Sequence, residues 1–121
     1  MRELKFRAWV FYGEKLKKPH YSRDYESLSR FFEDHDENDD KQCIEQYTGL
    51  KDKNGKEIYG GDIVRLYDRF VSEIVWLGEH CGFKWFDTEE GGYSGLSYNN
   101  AEYYEVIGNI HENAELLEGE E

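Results

Sequence analysis
No stretch of this chain approaches the roughly 18 consecutive apolar residues of a membrane helix, and no apolar stretch follows Met1-Arg2-Glu3-Leu4-Lys5 to serve as a signal peptide. A cytoplasmic protein without a membrane partner is therefore expected. Cysteine is scarce: Cys43 and Cys81 stand far apart without a Cys-x-x-Cys spacing, and they read as buried free thiols rather than a disulfide or a metal pair. Catalytic spacings are missing as well. His20, His35, His80 and His111 form no His-x-x-x-His or His-Glu-x-x-His pattern, and no serine sits in a Gly-x-Ser-x-Gly elbow. Gly60-Gly61 and Gly91-Gly92 lack the Gly-Lys-Ser/Thr or Gly-x-Gly-x-x-Gly continuation of a phosphate loop, so they read as turns. In the His80-Cys81 pair, adjacent strand residues would point to opposite faces, giving a solvent-facing histidine beside a buried cysteine. The expectation is a chain that is not an enzyme and carries no cofactor.

What the chain does have is aromatic bulk. Hydrophobic residues make up only 38%, yet aromatics reach 17%, with ten Tyr, seven Phe and three Trp. Such a core favours sheets, which accept aromatic and β-branched residues. At 121 residues the chain fits one domain, with no second independent core expected. The net charge of −12 is unevenly placed. Residues 33–40 hold six acids and residues 112–121 five more, with no Lys or Arg in either stretch. Removing those eleven leaves sixteen acids against fifteen bases. Acidity thus belongs to one loop and one tail, while bases gather near the start and at Lys51, Lys53 and Lys56, which makes the molecule bipolar.

Along the chain, Leu4, Phe6, Ala8 and Val10 alternate with Lys5, Arg7, Trp9 and Phe11, the period of a strand. Tyr21, Tyr25, Leu28 and Phe32 then follow helical spacing, with Ser22 or Asp24 as N-cap, and predict one amphipathic helix of two to three turns. The acidic run ends it and reads as a mobile loop. Short strands are predicted over residues 43–48, 62–67, 71–77, 82–87 and 103–110, with a tight turn at Asn54-Gly55 and a flexible loop of about ten residues that opens with Gly91-Gly92-Tyr93-Ser94-Gly95 and is flanked by Asn99-Asn100. The expected architecture is mainly β with one short helix: residues 1–48 carry the N-terminal strand, helix and acidic loop, residues 49–111 a small barrel, and residues 112–121 an acidic tail.

Three segments resemble the YopX-like family of phage proteins. They are Lys5-Phe6-Arg7-Ala8-Trp9; Gln46-Tyr47-Thr48-Gly49-Leu50-Lys51-Asp52-Lys53-Asn54-Gly55-Lys56-Glu57-Ile58-Tyr59 leading into Gly61-Asp62-Ile63-Val64; and Glu105-Val106-Ile107-Gly108-Asn109-Ile110 with Glu112-Asn113 and Glu115-Leu116-Leu117. The resemblance implies an SH3-like barrel in the C-terminal half, elaborated by the N-terminal strand and helix, a home in phages or prophages of bacteria, and no established biochemical function. Val10-Phe11-Tyr12 and Ala114 depart from the family's usual residues, which bears on the surface rather than on the fold. A fold alone does not assign a function.

The acidic loop places Asp34, Asp36, Asn38 and Glu45 at positions 1, 3, 5 and 12 of a calcium-binding loop. Asp39 replaces the glycine that the sharp turn needs, and Lys41 the apolar residue that packs beneath it. A solvated acidic loop is the simpler reading, with weak adventitious cation binding as the alternative. The expected activity is protein binding, to a host or phage protein or to further copies of the chain as a homo-oligomer, with Lys5, Arg7, Trp9, Lys51, Lys53 and Lys56 as candidate interaction residues. Trp9 is the aromatic expected at the surface, because its strand face is shared with Lys5 and Arg7; aromatics such as Phe11, Trp76, Trp85, Tyr93 and Tyr98 are more often core. Nucleic acid is an alternative partner for a small barrel with these bases, disfavoured by the net charge. Mimicry of DNA by the carboxylates fits less well, since the acids lie in a loop and a tail rather than over a rigid face.

Overall fold
Alternation at the start of the chain becomes strand β1, Phe6–Tyr12, in a computed structural model that describes residues 4–12, 15–16, 18–35 and 41–118. The chain divides into two units, Met1–Tyr47 and Thr48–Glu121. In the first, β1 pairs antiparallel with β2 (Lys15–Leu16) and β3 (His20–Tyr21), and with the first half of β4 (Gln42–Lys51), in register from Phe6↔Gln46 to Val10↔Gln42. Strand pairing therefore flanks β1 on both edges. Arg7, Ala8, Trp9 and Val10 are all buried, so the alternation does not divide an inner from an outer face.

The helix is shifted from its expected register. Ser22–Asp24 form a single 3-10 turn, Tyr25 is extended, and the α-helix α1 covers Leu28–Asp34. Its N-cap is Ser27, whose hydroxyl accepts from the Arg30 N–H at 3.2 Å. Phe31, not Phe32, is the buried residue of this helix. It lies among the rings of Tyr25 and Phe32, at 5.4 and 5.1 Å, with the His35 ring 4.7 Å away. A cap at residue 27 rather than 22 or 24 rotates the buried stripe by one position. Asp36, Asn38 and the rest of residues 36–40 lie outside the described residues.

The second unit is organised around two carboxylates. At the hairpin from the end of β4 to β5 (Glu57–Tyr59), Asp52 Oδ1 accepts from the N–H groups of Asn54 and Lys56, and Oδ2 accepts from Val106 N–H, all at 2.9 Å. Gly55 adopts φ +81°, the left-handed geometry that glycine permits. Before β6 (Asp62–Leu66), Asp62 Oδ2 accepts from Tyr59 N–H at 2.8 Å. The strand expected over residues 71–77 is two strands, β7 (Phe70–Glu73) and β8 (Val75–Leu77). They are split at fully buried Ile74, whose backbone bonds to Gly61 and Asp62.

β9 (Gly82–Asp87) pairs with β8 and with β10 (Gly92–Gly95). The glycine-rich segment expected as a flexible loop is thus a strand, because Tyr93 and Ser94 fall opposite Phe86 and Trp85. β11 (Tyr104–Asn109) completes the second sheet, of order β11-β6-β7. The expected acidic tail is structured in part: Glu115–Glu118 form a single-turn helix, α2, with Leu116 and Leu117 half-buried. Mainly β, the protein has the curled antiparallel sheets of a half-barrel, consistent with a small β-barrel. Ile58, Val64, Leu66, Ile74, Phe83, Trp85 and Tyr104 form the core of the second unit, and burying each such side chain contributes roughly 1.5–3 kcal/mol.

The thiols also differ from expectation. Cys43 is half-buried and Cys81 exposed, both free. Cys81 sits at φ +50° after a 3-10 turn, which breaks the strand alternation assumed for the His80-Cys81 pair.

Candidate functional site
The second unit carries a cleft of about 320 Å³ lined by Lys53, Arg65, Tyr67, Asp68, Glu102, Tyr103 and Glu105. Four parts of the fold supply these residues: the β4–β5 hairpin, β6 with its following turn, the 3-10 segment Tyr98–Tyr103, and β11. In the β6–β7 turn the Arg69 N–H bonds to the Leu66 carbonyl, and both central residues, Tyr67 and Asp68, have positive φ (+58° and +56°). That is the geometry of a hairpin turn matched to strand twist, normally filled by Asn and Gly. Tyrosine there is costly to the backbone, and the ring is held in place by its neighbours.

Tyr67 lies 5.7 Å from the Tyr103 ring at 32°, and 5.8 Å edge-on from Tyr104. Tyr104 is fully buried. Burial and a side-chain hydrogen bond with Tyr67 push its phenol up to about 12, while the Ser97 N–H, donating to its oxygen at 3.1 Å, acts in the opposite direction. Tyr104 thus packs edge-on beneath a ring that lines the cleft. Tyr67 and Tyr103 remain 38% and 52% exposed.

The charges in the cleft are unequal. Glu105 Oε1 takes both cations, Arg65 at 3.1 Å and Lys53 at 3.7 Å. Asp68 and Glu102 have no ion-pair partner among the described residues. Two cations against three carboxylates leave the lining at −1. Arg69, next in the turn, is paired with Glu89 instead.

The sequence-predicted interaction residues are placed differently. Trp9, expected at the surface, is only 1% exposed. Its indole Nε1 and the Arg7 Nε both donate to Glu45 Oε1 at 2.8 Å, so these two residues serve the interior of the first unit. Glu45, cast as the last calcium ligand, is committed to this buried ion pair. Lys5 sits over the Tyr47 ring at 5.4 Å. Lys51, Lys53 and Lys56 are exposed around one hairpin, and Lys53 alone among the predicted residues lines the cleft. Of the other aromatics weighed, Trp85 is buried and Phe11 half-buried, whereas Trp76, Tyr93 and Tyr98 are exposed. Sequence reasoning missed Tyr67 and Tyr103, because Tyr67-Asp68-Arg69 contains neither the Gly nor the Asn that announces a turn.

A second cluster of ionisable side chains lies in the first unit. His35 is buried, its Nε2 is 3.3 Å from the Tyr25 hydroxyl, and the His20 ring is 5.2 Å away. Burial, and then repulsion from His20, lower its pKa, while Asp34 acts against them. Nδ1 has no hydrogen-bond partner among the described residues. Burial thus favours the neutral form of this ring.

The sequence matches the family described as YopX protein over residues 5–118. Similar solved structures include the crystal structure of protein EF1440 from Enterococcus faecalis, at 26% identity and a TM-score of 0.61, covering 97% of this chain and 99% of that one. Another is protein yopX from Bacillus subtilis, at 18% identity and a TM-score of 0.53, with the same coverage, a likeness of fold. Among curated proteins no match was found.

Proposed function
From the premise that the chain belongs to the YopX protein family, we propose that it is a non-catalytic protein-binding module, acting on a host or phage protein in a bacterial cell. The observation that carries this reading is the exposed Tyr67–Tyr103 ring pair, with Tyr67 in a strained turn and packed edge-on against buried Tyr104. Exposed, immobilised tyrosines are typical of recognition surfaces, since they offer large contact area at small entropic cost. A phage or prophage home is what the family resemblance supports. No helix among the described residues is long and apolar enough to cross a membrane.

The test is affinity capture of the tagged chain from bacterial lysate, with and without nuclease, using wild type and a Tyr67→Ser/Tyr103→Ser variant. A nuclease-resistant protein partner that the variant loses supports the reading. Partners lost with nuclease instead favour nucleic acid, the alternative supported by the exposed Lys51, Lys53 and Lys56 on one hairpin. Such binding weakens steeply and log-linearly with salt.

A further inference from the structure
We propose that the cleft between the β4–β5 hairpin and the β6–β7 turn is a receptor for an arginine side chain of the protein partner. The inference rests on the protein-binding reading and names its chemistry. Three observations choose the occupant. Two of the lining residues are tyrosines, whose ring faces attract cations. The resident cations are drawn to one carboxylate, Arg65 at 3.1 Å and Lys53 at 3.7 Å from Glu105. The remaining charges, Asp68 and Glu102, are carboxylates without an ion-pair partner among the described residues. A phosphate or a peptide carboxylate entering here would meet a lining of net charge −1, with its cations engaged.

Ring spacing argues the same way. At 5.7 Å between centroids, Tyr67 and Tyr103 are in contact with each other and leave no slot for a nucleobase between them. A planar guanidinium can stack on the exposed Tyr103 ring and direct its N–H fork at a carboxylate, a geometry that the compact ammonium of lysine does not reproduce.

The experiment is a titration of the full chain, followed by the NMR signals of Tyr67, Asp68 and Tyr103, with a blocked five-residue peptide carrying a central arginine. Control peptides carry lysine, glutamate or citrulline in its place, citrulline being the neutral near-isostere of arginine. The expected result is saturable shifts at those three residues with the arginine peptide, several-fold weaker binding with lysine, and none with citrulline or glutamate. In the Asp68→Asn/Glu102→Gln variant the arginine peptide binds about tenfold more weakly or worse. Asparagine tolerates positive φ and Glu102 is exposed, so this variant keeps the fold.

Equal binding of citrulline, unchanged affinity in the variant, shifts confined to other residues, or no saturable shift overturns the proposal. So does oligothymidylate moving the same three signals. The two readings fail separately. A nuclease-resistant partner that the Asp68→Asn/Glu102→Gln variant still captures leaves the binding module standing and removes the arginine, while arginine binding without a protein partner does the reverse.

Discussion

The two units meet their buried charges with different partners. In the first, charge is taken inside: Arg7 and Glu45 form a buried ion pair joined by the Trp9 indole, and His35 sits buried against Tyr25. In the second, the buried carboxylates Asp52 and Asp62 are met by backbone N–H groups, and the side-chain ion pairs Arg65–Glu105 and Lys53–Glu105 lie at the surface beside a cleft. A buried pair specifies how one interior fits together, at a desolvation cost that its attraction must offset. A half-exposed set of charges and rings contributes little to stability and is free to meet a partner. On the proposed reading, recognition falls to the second unit, while the buried pair of the first serves its architecture.

The sharpest way to break this contrast is to remove Glu45. Glu45→Ala strips Arg7 and Trp9 of their shared acceptor and is expected to cost about 3–5 kcal/mol in chemical denaturation. An Arg7→Met/Glu45→Leu pair should be less destabilised than Glu45→Ala alone, and an equal or larger loss would refute a charge-burial origin. Next in size is Asp52→Ala, which leaves three backbone N–H groups without their acceptor. We expect a loss of about 2–4 kcal/mol, with amide exchange accelerating at Lys56 and Val106 together. Exchange at one site without the other would show that the carboxylate does not couple hairpin to strand.

Gly108→Ala is expected to follow, at about 1–3 kcal/mol, because a β-carbon there would stand 2.7–2.8 Å from the side chain of Asn113. Asn113→Gly in the same chain should recover part of that loss. At the small end, Tyr103→Ser, at a half-exposed position, should shift stability by no more than about 0.5 kcal/mol while weakening partner capture.

Titration sharpens the comparison from another side. The His35 pKa is lowered in the folded state, so below the ordinary value near 6.5 the unfolded chain takes up a proton that the folded chain refuses. The stability of the first unit is full above that pH and falls as the solution is acidified through it. His20, Tyr25 and Asp34 face the same ring, and Asp34 moderates the loss. Tyr104 behaves oppositely, its phenol raised to about 12. Its contribution is complete below pH 10 and disappears as the pH rises from 10 to 12. Residue-resolved NMR across both ranges should show His35 and its neighbours yielding first to acid and Tyr104 first to alkali.

How much of this was legible in the sequence depends on the range of the interaction. The Asn54-Gly55 turn and the strands beginning near Phe6, Asp62 and Gly82 carry their signals in adjacent residues, and they fold as read. Mainly β architecture followed from the same local patterns. Trp9 was misplaced because alternation reports that a strand has two faces, not which of them the rest of the chain covers. Gly92–Gly95 hid a strand, since its pairing is set by Phe86 and Trp85 across the hairpin rather than by its own propensity. The cleft was unreadable: Lys53, Arg65, Tyr67 and Tyr103 meet only after distant strands pair, and nothing local marks Tyr67 for positive φ.

The triple acceptor at Asp52 has a consequence in time. Its hairpin partners, Asn54 and Lys56, leave the ribosome almost with it, but Val106 follows 54 residues later. At the roughly 5–20 residues per second of translation, water must stand in for that last donor for several seconds. The nascent hairpin can therefore form early without being latched, and the second unit is secured only once the strand beginning at Tyr104 has been made.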